Sequence, residues 1–145
     1  MFMEDIIRRL IQGYQGLGCL HNLRIRARGE WNDAVDDAFR GRHPHTFEEI
    51  YDCLKRLCHN GDFRGIGKET ILNEAILIAE GMGIPYEECL HFMHSRRKYV
   101  RYVMDDENYR HLIPFEGWTL IYFLRYASNA LQEAMREQER QQRNN

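Results

Sequence analysis

Residues 63–85 read FRGIGKETILNEAILIAEGMGIP, and the folding of this stretch decides the folding of the chain. Two glycines flank Ile66, Lys68 and Thr70 follow, and apolar residues then recur at Ile71, Leu72, Ala75, Ile76 and Ala79. Steps of three and four place all five on one face of a helix, whereas a strand would need alternation. The spacing predicts a helix over 68–81 that ends at Gly83 and Pro85.

The same period extends in both directions. Upstream, Thr46 can cap a helix and Glu49 can answer it three residues later, the pattern of a capping box. Phe47, Ile50, Tyr51, Leu54, Leu57 and Cys58 then form one stripe down to Asn60-Gly61. A short helix is expected over 31–40, with Trp31, Val35, Ala38 and Phe39 inward and Gly41 as its stop. A first helix is expected over 3–15, carrying Met3, Ile6, Ile7, Leu10, Ile11 and Tyr14, ended by Gly13, Gly16 and Gly18. LRIRAR at 23–28 alternates briefly, but no second strand-like run exists to pair with it, so it reads as a loop or helical turn.

Downstream, a helix is expected over 86–104 and another from Trp118 to the mid-130s. The opening of the latter, WTLIYFLRYA, is apolar nearly all round and reads as the most buried helix. The expected architecture is an all-α, single compact bundle of five to six helices over 1–135, with a polar C-terminal tail at 136–145.

Composition limits function. Hydrophobic residues make up 43% and charged residues 29% of the 145, an ordinary globular balance that argues against disorder. The net charge is −2 and the isoelectric point about 6.4, so a nucleic-acid role must rest on a local patch. No window reaches the ~18 apolar residues of a membrane span. Acids and arginines interrupt MFMEDIIRRL, so it lacks a signal-peptide centre. Four cysteines do not amount to a disulfide framework, and a cytoplasmic chain with reduced thiols is the expectation.

A glycine pair permits a turn too tight for other residues, and such a turn leaves the amides around Ile66 and at the next helix start open to an anion. Lys68 adds a charge there and Arg64 lies just before it. Residues 47–81 therefore resemble the helix-hairpin-helix motif of DNA repair and replication proteins. That family shows an apolar residue, a spacer, Gly-apolar-Gly, a basic residue and Thr or Ala opening the second helix. Phe63, Gly65-Ile66-Gly67, Lys68 and Thr70 occupy the matching places. The resemblance implies that this corner grips one phosphodiester strand through backbone amides, largely without reading bases. Ile71 departs from the small residue the family often has, and 80–95 holds no Asp to match the catalytic one of its glycosylase branch. The branch's iron–sulfur cysteines are missing too, so base-excision chemistry is not carried over.

A second basic feature is HSRRKYVRY at 94–102, with Arg96, Arg97, Lys98 and Arg101 among tyrosines. On one continuous helix Lys98 and Arg101 leave the stripe of Cys89, Met93 and Val100, and suit a backbone-binding ridge or a solvated face. Arg97 falls inside that stripe, where a guanidinium must snorkel, pair or face a partner. Asp105, Asp106 and Glu107 follow at once, and Arg24, Arg26 and Arg28 are likewise followed by acids. Such alternating blocks also suit a protein partner.

Cys89, His91 and His94 look like metal ligands when read linearly, but a helix points Cys89 inward and the histidines outward. Cys53 and Cys58 diverge similarly. His43 and His45 lie in a pre-helix loop without a nucleophile signature, and no cofactor-binding loop occurs, since GIGK lacks Walker spacing. No metal, no cofactor and no enzymatic activity are expected. Two readings stand: a small accessory protein holding DNA or RNA backbone without sequence specificity, through Gly65-Ile66-Gly67 with help from 96–101, or a protein-interaction module, such as an inhibitor or scaffold subunit, that binds no nucleic acid. Neither involves a membrane, and the apolar 118–127 segment suits a homo-oligomer core as well as a monomer core.

Overall fold

The computed structural model describes residues 2–17, 28–59 and 63–144. Among them the chain is all-α, with nine helices and no strand. These are α1 (Phe2–Leu17), α2 (Arg28–Phe39), α3 (Phe47–Leu57), α4 (Lys68–Gly81), α5 (Tyr86–Arg96), α6 (Lys98–Asp105), α7 (Glu107–Arg110), α8 (Trp118–Tyr126) and α9 (Ser128–Asn144). They divide into one contact unit spanning His21–Phe92 and another formed by Met1–Leu20 with Met93–Asn145. Most of the LRIRAR segment, including Arg24 and Arg26, lies outside the described residues.

In the 21–92 unit, α3 packs on both α2 and α4. The inward face expected for α4 is found: Ile71, Leu72, Ala75, Ile76 and Ala79 are all buried. Asn73 and Glu74 are buried as well, so the helix is enclosed all round from 71 to 76. Burying Ile71, Leu72 and Ile76 contributes roughly 1.5–3 kcal/mol each. Against this, both polar atoms of the Asn73 amide lack a hydrogen-bond partner among the described residues, at about 1–3 kcal/mol. The three aliphatic side chains outweigh that cost, so the helix stays buried.

The C-terminus of α4 closes as a Schellman motif. The Gly83 amide donates to the Glu80 carbonyl at 3.2 Å and the Ile84 amide to the Ala79 carbonyl at 3.0 Å. Gly83 takes φ 75°, which a side chain would strain. The middle of α5 closes on α3, where Phe92 sets its ring edge-on to Phe47 at 5.0 Å and tilted against Tyr51 at 4.8 Å.

In the other unit, α1 packs on α7, α8 and α9, and α6 on α7 and α9. Gly13 does not end α1 as expected. It lies inside the helix, where a Cβ would stand 3.3 Å from the Tyr126 hydroxyl. Tyr14 packs on Phe115, Phe123 and Tyr126. Leu120 to Leu124 are all buried in α8, in line with its apolar sequence.

Three interruptions raise the helix number above five or six. Arg97 divides the expected 86–104 helix, Ala127 divides the last one, and Asp106 starts the four-residue α7 by accepting the Asn108 amide at 2.9 Å. The Arg97 break has a physical cause. Met93 and Val100 are fully buried, and a continuous helix would carry the guanidinium between them. Arg97 instead takes φ −126°, ψ 114° and donates to the Tyr99 hydroxyl at 3.0 Å. The segment expected as a polar tail from 136 is helical to Asn144. Arg136 with Glu133 and Arg140 with Glu137 pair at i,i+3 along it, which supports an exposed helix.

Two stability outcomes follow. Gly83→Ala lowers the unfolding free energy by about 1–2 kcal/mol in urea, the cost of a left-handed side chain, while Gly65→Ala changes it by less than about 0.5 kcal/mol. For Asn73, the near-isosteric Asn73→Leu raises the thermal midpoint, because it removes the unpaired amide; a lower midpoint would count against an uncompensated cost at this position.

Candidate nucleic-acid interface

Two helix starts in the 21–92 unit are built in opposite ways. At α3, Thr46 is the N-cap and its hydroxyl accepts the Glu49 amide at 3.2 Å. The return arm of the box shifts by one residue, with the Glu49 carboxylate accepting the His45 amide at 2.9 Å rather than that of Thr46. Glu88, from α5, accepts the Phe47 amide at 3.1 Å. Three side-chain oxygens thus satisfy donors around α3's start.

At α4 the N-cap residue is a glycine and has no side chain to cap with. Gly67 is the N-cap, with φ −77° and ψ 163°, and makes no side-chain cap hydrogen bond. Arg64, Gly65, Gly67, Lys68 and Glu69 are exposed, while Ile66 and Thr70 are half-buried. The positive end of the helix dipole therefore meets solvent between Arg64 and Lys68, with Glu69 as the one opposing charge in the first turn. Phe63 anchors the corner, its ring edge-on to the buried Trp31 at 5.2 Å.

Two expectations for this corner need correction. The Ile66 amide does not open outward; it donates to the Phe63 carbonyl at 3.2 Å and closes a local turn. An anion is left the start of α4 rather than the residue between the glycines. Nor does the turn demand glycine: neither Gly65 nor Gly67 lies in the left-handed region, and a Cβ on either meets nothing within 4 Å. What the glycines do is leave the backbone bare.

The expected second patch belongs to the other contact unit, and it is not a ridge of available cations. Arg96 is exposed and donates to the Ser95 hydroxyl at 3.1 Å. Arg97 is half-buried, with its guanidinium carbon 5.6 Å from the Tyr99 ring centre. Lys98 bonds Glu139 of α9 and holds that carboxyl below the usual carboxylate range, by hydrogen bonding and by charge. Arg101 is exposed and has no side-chain partner among the described residues.

The remaining chemistry-bearing side chains are dispersed. Burial, and then the charge of Glu88, push the Cys89 thiol up to about 12, which leaves it a poor nucleophile and a poor ligand at neutral pH. His94 bonds Asp105 at 2.8 Å. Among the described residues, no three His, Cys, Asp or Glu side chains stand close enough to hold a metal ion. Sequence reading did miss one grouping, a cleft lined by Arg42, His43 and Arg56, whose only linear signal was the loop RHPHT at 42–46. No family model, no curated protein and no solved structure matches the chain.

Proposed function

We propose that the chain binds the phosphodiester backbone of DNA or RNA, without reading base sequence, through the corner Gly65–Thr70. One observation carries this reading: the start of α4 is exposed and its N-cap, Gly67, offers no side chain, while α3's start is capped by Thr46 and Glu88. A helix start with bare flanking glycines lets a phosphate oxygen approach the backbone, and Lys68 and Arg64 supply sequence-independent attraction. The packing of α3 on α4 around a Gly-Ile-Gly turn supports the likeness to the helix-hairpin-helix motif.

Binding through so few cations is weak, and its log–log salt slope is only about −2, in proportion to two phosphate contacts. Half of the basic surface first considered is engaged internally, which confines the interface to the corner, with Arg101 as a separate exposed charge. The competing reading, a protein-interaction module, has less support from the surface. Met82 is the one large exposed hydrophobic side chain among the described residues, whereas interface centres hold aromatic or aliphatic anchors.

Fluorescence anisotropy with single-stranded and duplex oligonucleotides across a salt series tests the reading. Wild type binds at low salt irrespective of sequence. Lys68→Gln lowers the slope of log affinity against log salt by about 1. Gly67→Val weakens binding by about tenfold or more without a matching loss of stability, because the new side chain stands only in the path of the strand. No binding at low salt, or unchanged binding by both variants, would sink the proposal.

A further inference from the structure

Elsewhere in the 21–92 unit, we infer a binding site for a small phosphate monoester in the cleft between the end of α2 and α3. The cleft has a volume of about 210 Å³ and is lined by Phe39, Arg42, His43, Pro44, Glu49, Cys53 and Arg56. It does not depend on the corner at Gly65–Thr70.

Charge identifies the ligand. The Arg42, His43 and Arg56 side chains are exposed and make no hydrogen bond or ion pair with any described residue. Three potential donor groups therefore converge on one cavity with their hydrogen-bonding capacity unused. Guanidinium forks match the oxygens of a phosphate, and an imidazole adds one more donor. Glu49 is the single carboxylate of the lining, and it accepts the His45 amide at 2.9 Å. Two arginines against one glutamate give the charged side chains of the lining a formal sum of +1.

Size and shape identify the rest of the ligand. The volume is below the ~300–1,000 Å³ of drug-sized sites, which suits a phosphate on a small carrier rather than a macromolecular strand. Phe39 and Pro44 give the cleft an apolar wall, so the carrier has a flat or apolar body. The lining also includes the buried Cys53, whose thiol lies 4.0 Å from the Ala38 carbonyl.

Calorimetric titration of the full chain with inorganic phosphate, phenyl phosphate, phenol and a phosphoserine peptide tests this site. Phenyl phosphate binds more tightly than inorganic phosphate, and phenol does not bind measurably. Arg42→Gln and Arg56→Gln each weaken phenyl phosphate by about tenfold or more. Lys55→Gln, on the same helix but outside the lining, leaves it unchanged. Glu49→Gln tightens binding, because a repulsive carboxylate is lost while its acceptor for His45 is kept. A wild type that binds neither phosphate, equal losses in Lys55→Gln, or a peptide that binds where both small phosphates fail would overturn the proposal.

Discussion

Burial of α4 around its whole circumference from Ile71 to Ile76 is the constraint on which the 21–92 unit depends. A helix enclosed on every side has no solvated stripe, so its neighbours must supply apolar surface all round. The same helix leaves the interior within one turn of its start, because Lys68 and Glu69 are exposed while Ile71 is 5% exposed. A buried, rigid body thus ends in a bare, positively polarised terminus. That combination is what a preorganised anion contact needs, since little ordering remains to be done when the ligand arrives.

Much of this was legible in the sequence because it follows from local rules. The period at Ile71, Leu72, Ala75, Ile76 and Ala79 reported the inward face of α4, and Gly83 reported its end. Thr46 reported the start of α3. What stayed hidden was settled over long separations or by conflict between rules. Glu88 caps α3 from 41 residues away, and no local pattern announces such a partner. Arg97 was visible only as a contradiction between helical period and charge. The chain resolves it by breaking the helix, which a periodic reading cannot choose in advance. The helical end of α9 was read as a tail because its apolar content is low, whereas its i,i+3 charge pairs and the contact of Glu139 with Lys98 sustain it.

The same division applies to the functional surface. Exposure of Gly65, Gly67 and Lys68 could be read from their place between two helices. The supposed reason for the glycines could not: backbone angles at 65 and 67 are ordinary, and only coordinates reveal that side chains there would meet open space. Counting cations along 96–101 overstated the charge available there, because Lys98 belongs as much to α9 as to its own helix. The cleft lined by Arg42 and Arg56 escaped notice for the converse reason. Fourteen positions apart, the two arginines form no motif, and only the packing of α2 on α3 brings them to one cavity.

Met82 stands just past α4, at the C-cap within the Schellman turn, and is 45% exposed, whereas Met3 and Met93 are sealed in the interior. Thioether oxidation to the sulfoxide follows access, and converts an apolar side chain into a polar one. Among the described methionines peroxide damage therefore falls first on Met82, at the surface, and the sealed thioethers of Met3 and Met93 are spared until the fold itself opens. Sulfoxide formation at the interior methionines would then serve as a chemical clock for global opening, with Met82 as its internal reference.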